Sequence, residues 1–272
     1  MSPDLVLWLA LATKMAVVAA FVVGATVVAE RFGPLLGAMV ATLPISAGPA
    51  YLFLALDHDA AFVAATAGGS LVGNAVNVVF CLVYATAAQS RGLAASLAAA
   101  TAAWFVLALL SQSVTWNVPQ AVALNIAVFA AALPLSARYR GAAMRSAQRR
   151  WYDAPLRAAM VSAVVVSVVE LSGRLGPALT GVVALYPVVL TSLALILQPR
   201  VGGPATAAIH ANAIPGLAGF GLALLLVNRL AVPAGVAAAL SLALAVSTVW
   251  NLVILLRRLP RRAPASAPLA RD

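Results

Sequence analysis

The chain has 272 residues, of which 64% are hydrophobic and 9% charged, with mean hydropathy +1.02, too few polar groups to cover a water-soluble surface. At about 25–30 residues per crossing with its turn, this length gives nine or ten membrane spans and leaves no soluble domain. A net charge of +10 raises nucleic acid as a partner, the single Cys81 excludes an intrachain disulfide, and two histidines with that thiol make no zinc cage.

Long apolar runs broken by charge, Pro and Gly put nine helices at about 5–29, 34–56, 60–88, 93–111, 118–136, 155–172, 177–198, 204–228 and 232–256. The first has no basic segment before it and carries Lys14 mid-run, so it reads as a span and not as a signal peptide. With the N-terminus outside, Arg31, Arg91, Arg138, Arg140, Arg145, Arg149, Arg150, Arg200, Arg257, Arg258, Arg261, Arg262 and Arg271 all fall on the cytoplasmic side. Outside lie Arg174 and Arg229 with Asp4, Asp57, Asp59 and Glu170. That asymmetry orients the chain with a cytoplasmic C-terminus in a bacterial-type inner membrane. It also removes nucleic acid as a partner, because the arginines mark orientation and the clusters at Arg138–Arg150 and in the disordered basic tail 257–272 suit anionic lipid.

Shifted by 143 residues, RFGPLLGAMVATLP (Arg31–Pro44) falls without a gap on RLGPALTGVVALYP (Arg174–Pro187), with seven of fourteen positions identical. The same shift pairs Trp8 with Trp151 and Lys14 with Arg157. Spans 1–4 (residues 1–111) therefore match spans 6–9 (residues 151–256), while the fifth, within the 112–150 connection, has no counterpart. An odd linker helix makes the second unit enter from the opposite side, so the expected fold is all-α, polytopic, with two inverted four-helix repeats. Such repeats recur in transporters, with the site near the midplane.

The units beginning LATKMAVVAA, GPLLGAMVATLPISAGPAYLFLAL and AAFVAATAGGSLVGNAVNVVFCLVYA resemble the small four-helix membrane proteins of the GlpM-like kind, which share an early Lys in helix 1, a Pro within helix 2 and a long helix 3. The resemblance covers residues 5–111 and, more loosely, 151–256. It implies a fusion of two such units and carries no settled activity. The second unit departs from it in having Arg157 for the Lys and Ser192 at the position of Pro49.

Residues that hydrocarbon disfavours are the candidates for a solute path. Lys14 and Arg157 each lie six residues past a Trp, about 9 Å deeper, and either snorkel to the interface or face inward to meet an anion or a carboxylate such as Glu170. Thr42, Pro44, Ser46 and Pro49 in span 2, and Tyr186, Pro187, Thr191 and Ser192 in span 7, mark either simple kinks or interrupted helices lining a cavity. Asn74 and Asn77 in span 3 and His210 and Asn212 in span 8 are either interhelical bonds among close-packed glycines or a polar lining, with His210 a candidate for proton coupling. Asp57, His58 and Asp59 fit a solvated turn better than a metal site. No P-loop, nucleophile elbow, HExxH or dinucleotide fingerprint occurs, so neither catalysis nor a cofactor is expected.

Two functions follow: a transporter or channel for a small anionic or amphipathic solute, or a scaffold for an envelope enzyme; a homo-oligomer is compatible with both. The orientation is testable directly. In a Cys81→Ser background, an impermeant thiol reagent added outside should modify Asp57→Cys and spare Arg145→Cys. Modification of both, or of the second alone, defeats the assignment.

Overall fold

Runs of Ala, Leu and Val bounded by Gly, Asp or Asn fix the helices of the structure, a computed structural model that describes residues 9, 12–20, 22–24, 47–142 and 150–258. In chain order these are α1 (Ala12–Gly24), α2 (Ala47–Asp57), α3 (Ala60–Ala87), α4 (Leu93–Ser111), α5 (Val118–Ala137), α6 (Asp153–Ala184), α7 (Val188–Val201), α8 (Gly203–Leu230) and α9 (Val236–Arg258). No strand occurs among the described residues. Six of the helices, α3, α4, α5, α6, α8 and α9, are long and apolar enough to cross a bilayer, which makes this a multi-pass membrane protein.

Local chemistry explains where the helices start. Asp59 accepts from the Phe62 amide and caps α3. Asn117 and Gln120 form a reciprocal capping box at α5, where Pro119 occupies the first turn. At the start of α8 the chain turns instead through Gly202, whose φ of 87° is costly for any residue with a side chain.

The span expected over 177–198, with either a kink or an interrupted helix at Pro187, is interrupted. Gly176 at φ 72°, ψ 166° is not helical and divides α6 into 153–175 and 177–184. The chain is interrupted again at Leu185–Pro187 before α7 begins. Pro187 offers no amide to the preceding turn, and Leu185 leaves the helical region. Segment 153–175 is about 34 Å long. Arg200 at the end of α7 pairs with Asp153 at the start of α6, so 177–201 returns the chain to the end from which α6 set out. The sequence places this helix end at 172 and its start at 155, within three residues of the observed bounds. Of the expected span 34–56, only the part within Ala47–Asp57 lies in the described residues, and Thr42, Pro44, Ser46 and the tail beyond Arg258 fall outside them.

The centre of the bundle is α3: 72% of its most apolar stretch is buried, against 11% for α5, which therefore sits at the periphery. It packs on α8, α6, α4 and α5. Against α8 it runs antiparallel: Asn228 donates to the Ala64 carbonyl, Asn74 to the Leu217 carbonyl, and Gly203 approaches the Ala88 carbonyl closely enough that an added Cβ would collide with it. The 177–184 segment lies just as close, because a Cβ on Gly181 would strike the Thr66 carbonyl and one on Gly69 the Ala178 carbonyl. A second apolar cluster joins Val18 and Val22 of α1, Phe53 and Leu54 of α2, and Val161, Val165 and Val169 of α6.

Candidate functional site

The interruption at Leu185–Pro187 leaves a backbone carbonyl without its helical partner in the middle of a bundle that has no bulk water to offer. Asn77 supplies the missing donor: its Nδ2 donates to the Leu185 carbonyl at 2.7 Å. The other end of the amide accepts from Trp104 Nε1 at 2.8 Å, so one buried side chain ties α3, α4 and the break together. Tyr186 meets Trp104 edge to face at 5.1 Å and lies against Phe105, closing the break on its α4 side.

One turn earlier on α3, Asn74 Nδ2 donates to Asn125 Oδ1 at 2.9 Å and to the Leu217 carbonyl at 3.1 Å. Asn125 Nδ2 in turn donates to the Leu71 and Ala121 carbonyls, so α3, α5 and α8 share one amide network. Further along, Tyr51 donates to Ser70 and Ser70 to the Gly181 carbonyl, a chain from α2 through α3 to the 177–184 segment. Asn74, Asn77 and Tyr186 thus gather around α3. Pro187 forms the N-cap of α7; Thr191 and Ser192 are buried in its first turns, with Ser192 Oγ donating to the Val189 carbonyl, and Pro49 is buried in α2.

His210 stands nearer the Arg200 end. It is fully buried, its Nδ1 bonds the Thr206 carbonyl and its ring stacks on Tyr84 at 3.9 Å. Tyr84 donates to Gln198 Oε1 at 2.5 Å, joining α3 to α7. Asn212 donates to the Arg140 carbonyl at the end of α5.

Lys14 sits between two carboxylates, with Nζ 2.9 Å from Asp57 Oδ2 and 2.8 Å from Glu170 Oε1. An anion would have to displace two acids to reach this ammonium. Arg157 is half-buried in α6, one turn beyond Asp153. His58 Nε2 lies 2.6 Å from Ser172 Oγ, and that hydroxyl spends its hydrogen on the Val169 carbonyl, so the imidazole is the donor. With Asp57 paired, His58 bonded and Asp59 capping, the three residues of this turn are each committed to protein partners. Among the described residues no group of three His, Cys, Asp or Glu side chains is arranged to hold a metal.

At the opposite end Arg200 grips Asp153 with two bonds of 2.6 Å. Arg150 donates to the Tyr152 hydroxyl just outside α6, and that bond holds the phenol below its ordinary pKa. Position 57 lies 143 residues before position 200, so at this offset one helix end carries an acid and the other a base. Neither this sign reversal nor the Trp104 partner of Asn77 is part of the sequence reading. The 143-residue offset carries a signal for the first; the second depends on the rotation of α4 and has none.

No protein family, curated protein or solved structure matches the chain, so the site stands on its own geometry. Asn77→Leu should leave the Leu185 carbonyl and the Trp104 N–H unpaired at once. The expected loss is about 1–3 kcal/mol in unfolding from micelles. Ser162→Ala, which removes a single 3.3 Å bond to the Met15 carbonyl, should change little. Equal stability of Asn77→Leu and the parent protein would contradict the bracing role.

Proposed function

We propose that the protein is a membrane transporter or channel for a small solute, anionic or amphipathic in character, whose path runs between two inverted four-helix units fused through α5, a tandem form of the GlpM-like architecture. In this reading the chain crosses an inner membrane nine times, the broken stretch 177–201 counting as one crossing, with the N-terminus outside.

The observation that carries the reading is the interrupted helix. A break at Leu185–Pro187 exposes backbone groups at membrane depth, and Asn77 holds it on the central helix. Irregular backbone at that depth is tolerated where protein covers it or a cavity wets it, and it is a recurring feature of transporter sites. Further support comes from the 143-residue offset. The helices α3 and α8 begin at Ala60 and Gly203, and α4 and α9 at Leu93 and Val236, each pair separated by 143. Asn74 bonds to Leu217, its own counterpart under that offset, as expected of residues beside a two-fold axis.

Each end of the bundle carries contacts between the units. Lys14–Glu170 and His58–Ser172 close one end, and Tyr84–Gln198 closes the other. Alternating access releases one set while the other holds. Lys14 is the sensitive element, because without it Asp57 and Glu170 face one another as like charges. One observation favours the scaffold alternative: Trp104 and Tyr186 pack the break instead of leaving it open. A transporter shows that packing in an occluded state.

Thr191, buried beside the break, separates the two readings. In the Cys81→Ser background, Thr191→Cys should react slowly with an impermeant thiol reagent from the Asp57 side, and Lys14→Met should speed that reaction several-fold. A scaffold predicts no reaction from either side, with or without Lys14, and that result would remove the transport reading.

A further inference from the structure

We propose that the groove between α3, α4 and α5 is a binding site for one acyl chain of a membrane phospholipid. The groove has a volume of about 210 Å³ and is walled by Val72, Val76 and Val79 of α3, Leu107 and Leu110 of α4, and Val128 of α5. Its polar groups are bonded within the protein. Ser111 Oγ donates to the Ala108 carbonyl and accepts from Gln112, and Trp116 Nε1 donates to the Ser111 carbonyl. A cavity of this kind does not hold water and takes an apolar guest.

Size decides which apolar guest. A cavity of about 150 Å³ takes a single benzene, so 210 Å³ suits one slender apolar guest and not a helix about 10 Å across. An extended hydrocarbon chain, about 5 Å across at van der Waals contact, is such a guest. The groove begins at Trp116, in the turn between α4 and α5 at one end of both helices, and reaches Val128. From the start of α5 at Val118 that is about 15 Å, half the hydrocarbon thickness and the depth of one leaflet. Trp116 then stands at headgroup level, where indoles concentrate.

The second unit carries the built-in equivalent of the guest. This comparison rests on the repeat correspondence proposed above; the groove itself does not. At the 143-residue offset Val72, Val76 and Leu107 become Pro215, Gly219 and Trp250. There the Trp250 indole lies directly on Gly219, with no room for a Cβ, and donates to the Pro215 carbonyl at 2.9 Å. One unit fills the space with its own aromatic side chain. The other leaves it open beside α5, the helix whose Asn125 anchors the central amide network, so a bound tail would touch α3, α4 and α5 together.

The test uses the full chain in nanodiscs containing a phospholipid with a photoactivatable diazirine at mid-tail. Crosslinks should concentrate on the peptides bearing Val79, Leu110 and Val128, above the level at the exposed α9 positions Leu244 and Val253. The double change Val76→Gly with Leu107→Trp, which transplants the second unit's arrangement, should reduce groove labelling several-fold and leave α9 labelling unchanged. Should that variant fail to fold, Val79→Trp at the half-exposed mouth blocks entry without repacking the floor and should give the same loss. Groove labelling no greater than that of α9, or labelling unaffected by either variant, would each overturn the proposal.

Discussion

A backbone carbonyl inside a bilayer has to find its donor within the protein, and at Leu185 that requirement organises the rest of the bundle. The break at Leu185–Pro187 can exist because Asn77 reaches it, and Asn77 can reach it because Gly69, Gly73 and Gly181 let α3 and the 177–184 segment touch backbone to backbone. Gly73 has Val182 and Leu185 directly over it, so a larger residue there would push the break beyond the reach of the amide. Trp104 fixes the orientation of that amide from α4. Small residues, one Asn and one Trp thus form a single device, and its members depend on one another.

The ends of the bundle are organised by charge. Asp57 at the end of α2 is bound to Lys14 of α1, and Arg200 at the end of α7 to Asp153 at the start of α6. The polarity is reversed but the mechanical result is the same, since each pair fastens the returning chain to its starting helix. Arg200–Asp153 is the more enclosed pair and is bidentate, whereas Lys14 is shared between two acids at a more exposed site. The Lys14 end is therefore the weaker closure, and Lys14 there ties α1 to both α2 and α6.

Much of this is legible in the sequence, for reasons that differ by element. The helices α3, α4, α5, α8 and α9 can be read within a few residues because their apolar runs end in Gly, Asp or Asn with clear capping roles. Around Gly176 and Pro187 the sequence leaves a kink and an interrupted helix both open, because each residue is compatible with an ordinary helix end or kink, and only the packing against α3 shows that both positions break the helix. Glu170 stands out as a partner for Lys14, but Asp57 reads as solvated, because sequence does not reveal that the α2–α3 turn folds onto α1. Asn74 and Asn77 are conspicuous as amides in hydrocarbon. Their specific acceptors, the Leu217 and Leu185 carbonyls, are matters of helix rotation that composition does not encode.

The relation between the two units can be tested most directly by paired disulfides across α3 and α8. Ala64 and Asn228 are in contact, and the 143-residue offset carries that pair onto Ala207 and Ala85. In the Cys81→Ser background, Ala64→Cys with Asn228→Cys and Ala85→Cys with Ala207→Cys should both crosslink under mild oxidation and in similar yield, as a half-turn about an axis at Asn74–Leu217 requires. Crosslinking of the first pair without the second would contradict the proposed two-fold relation.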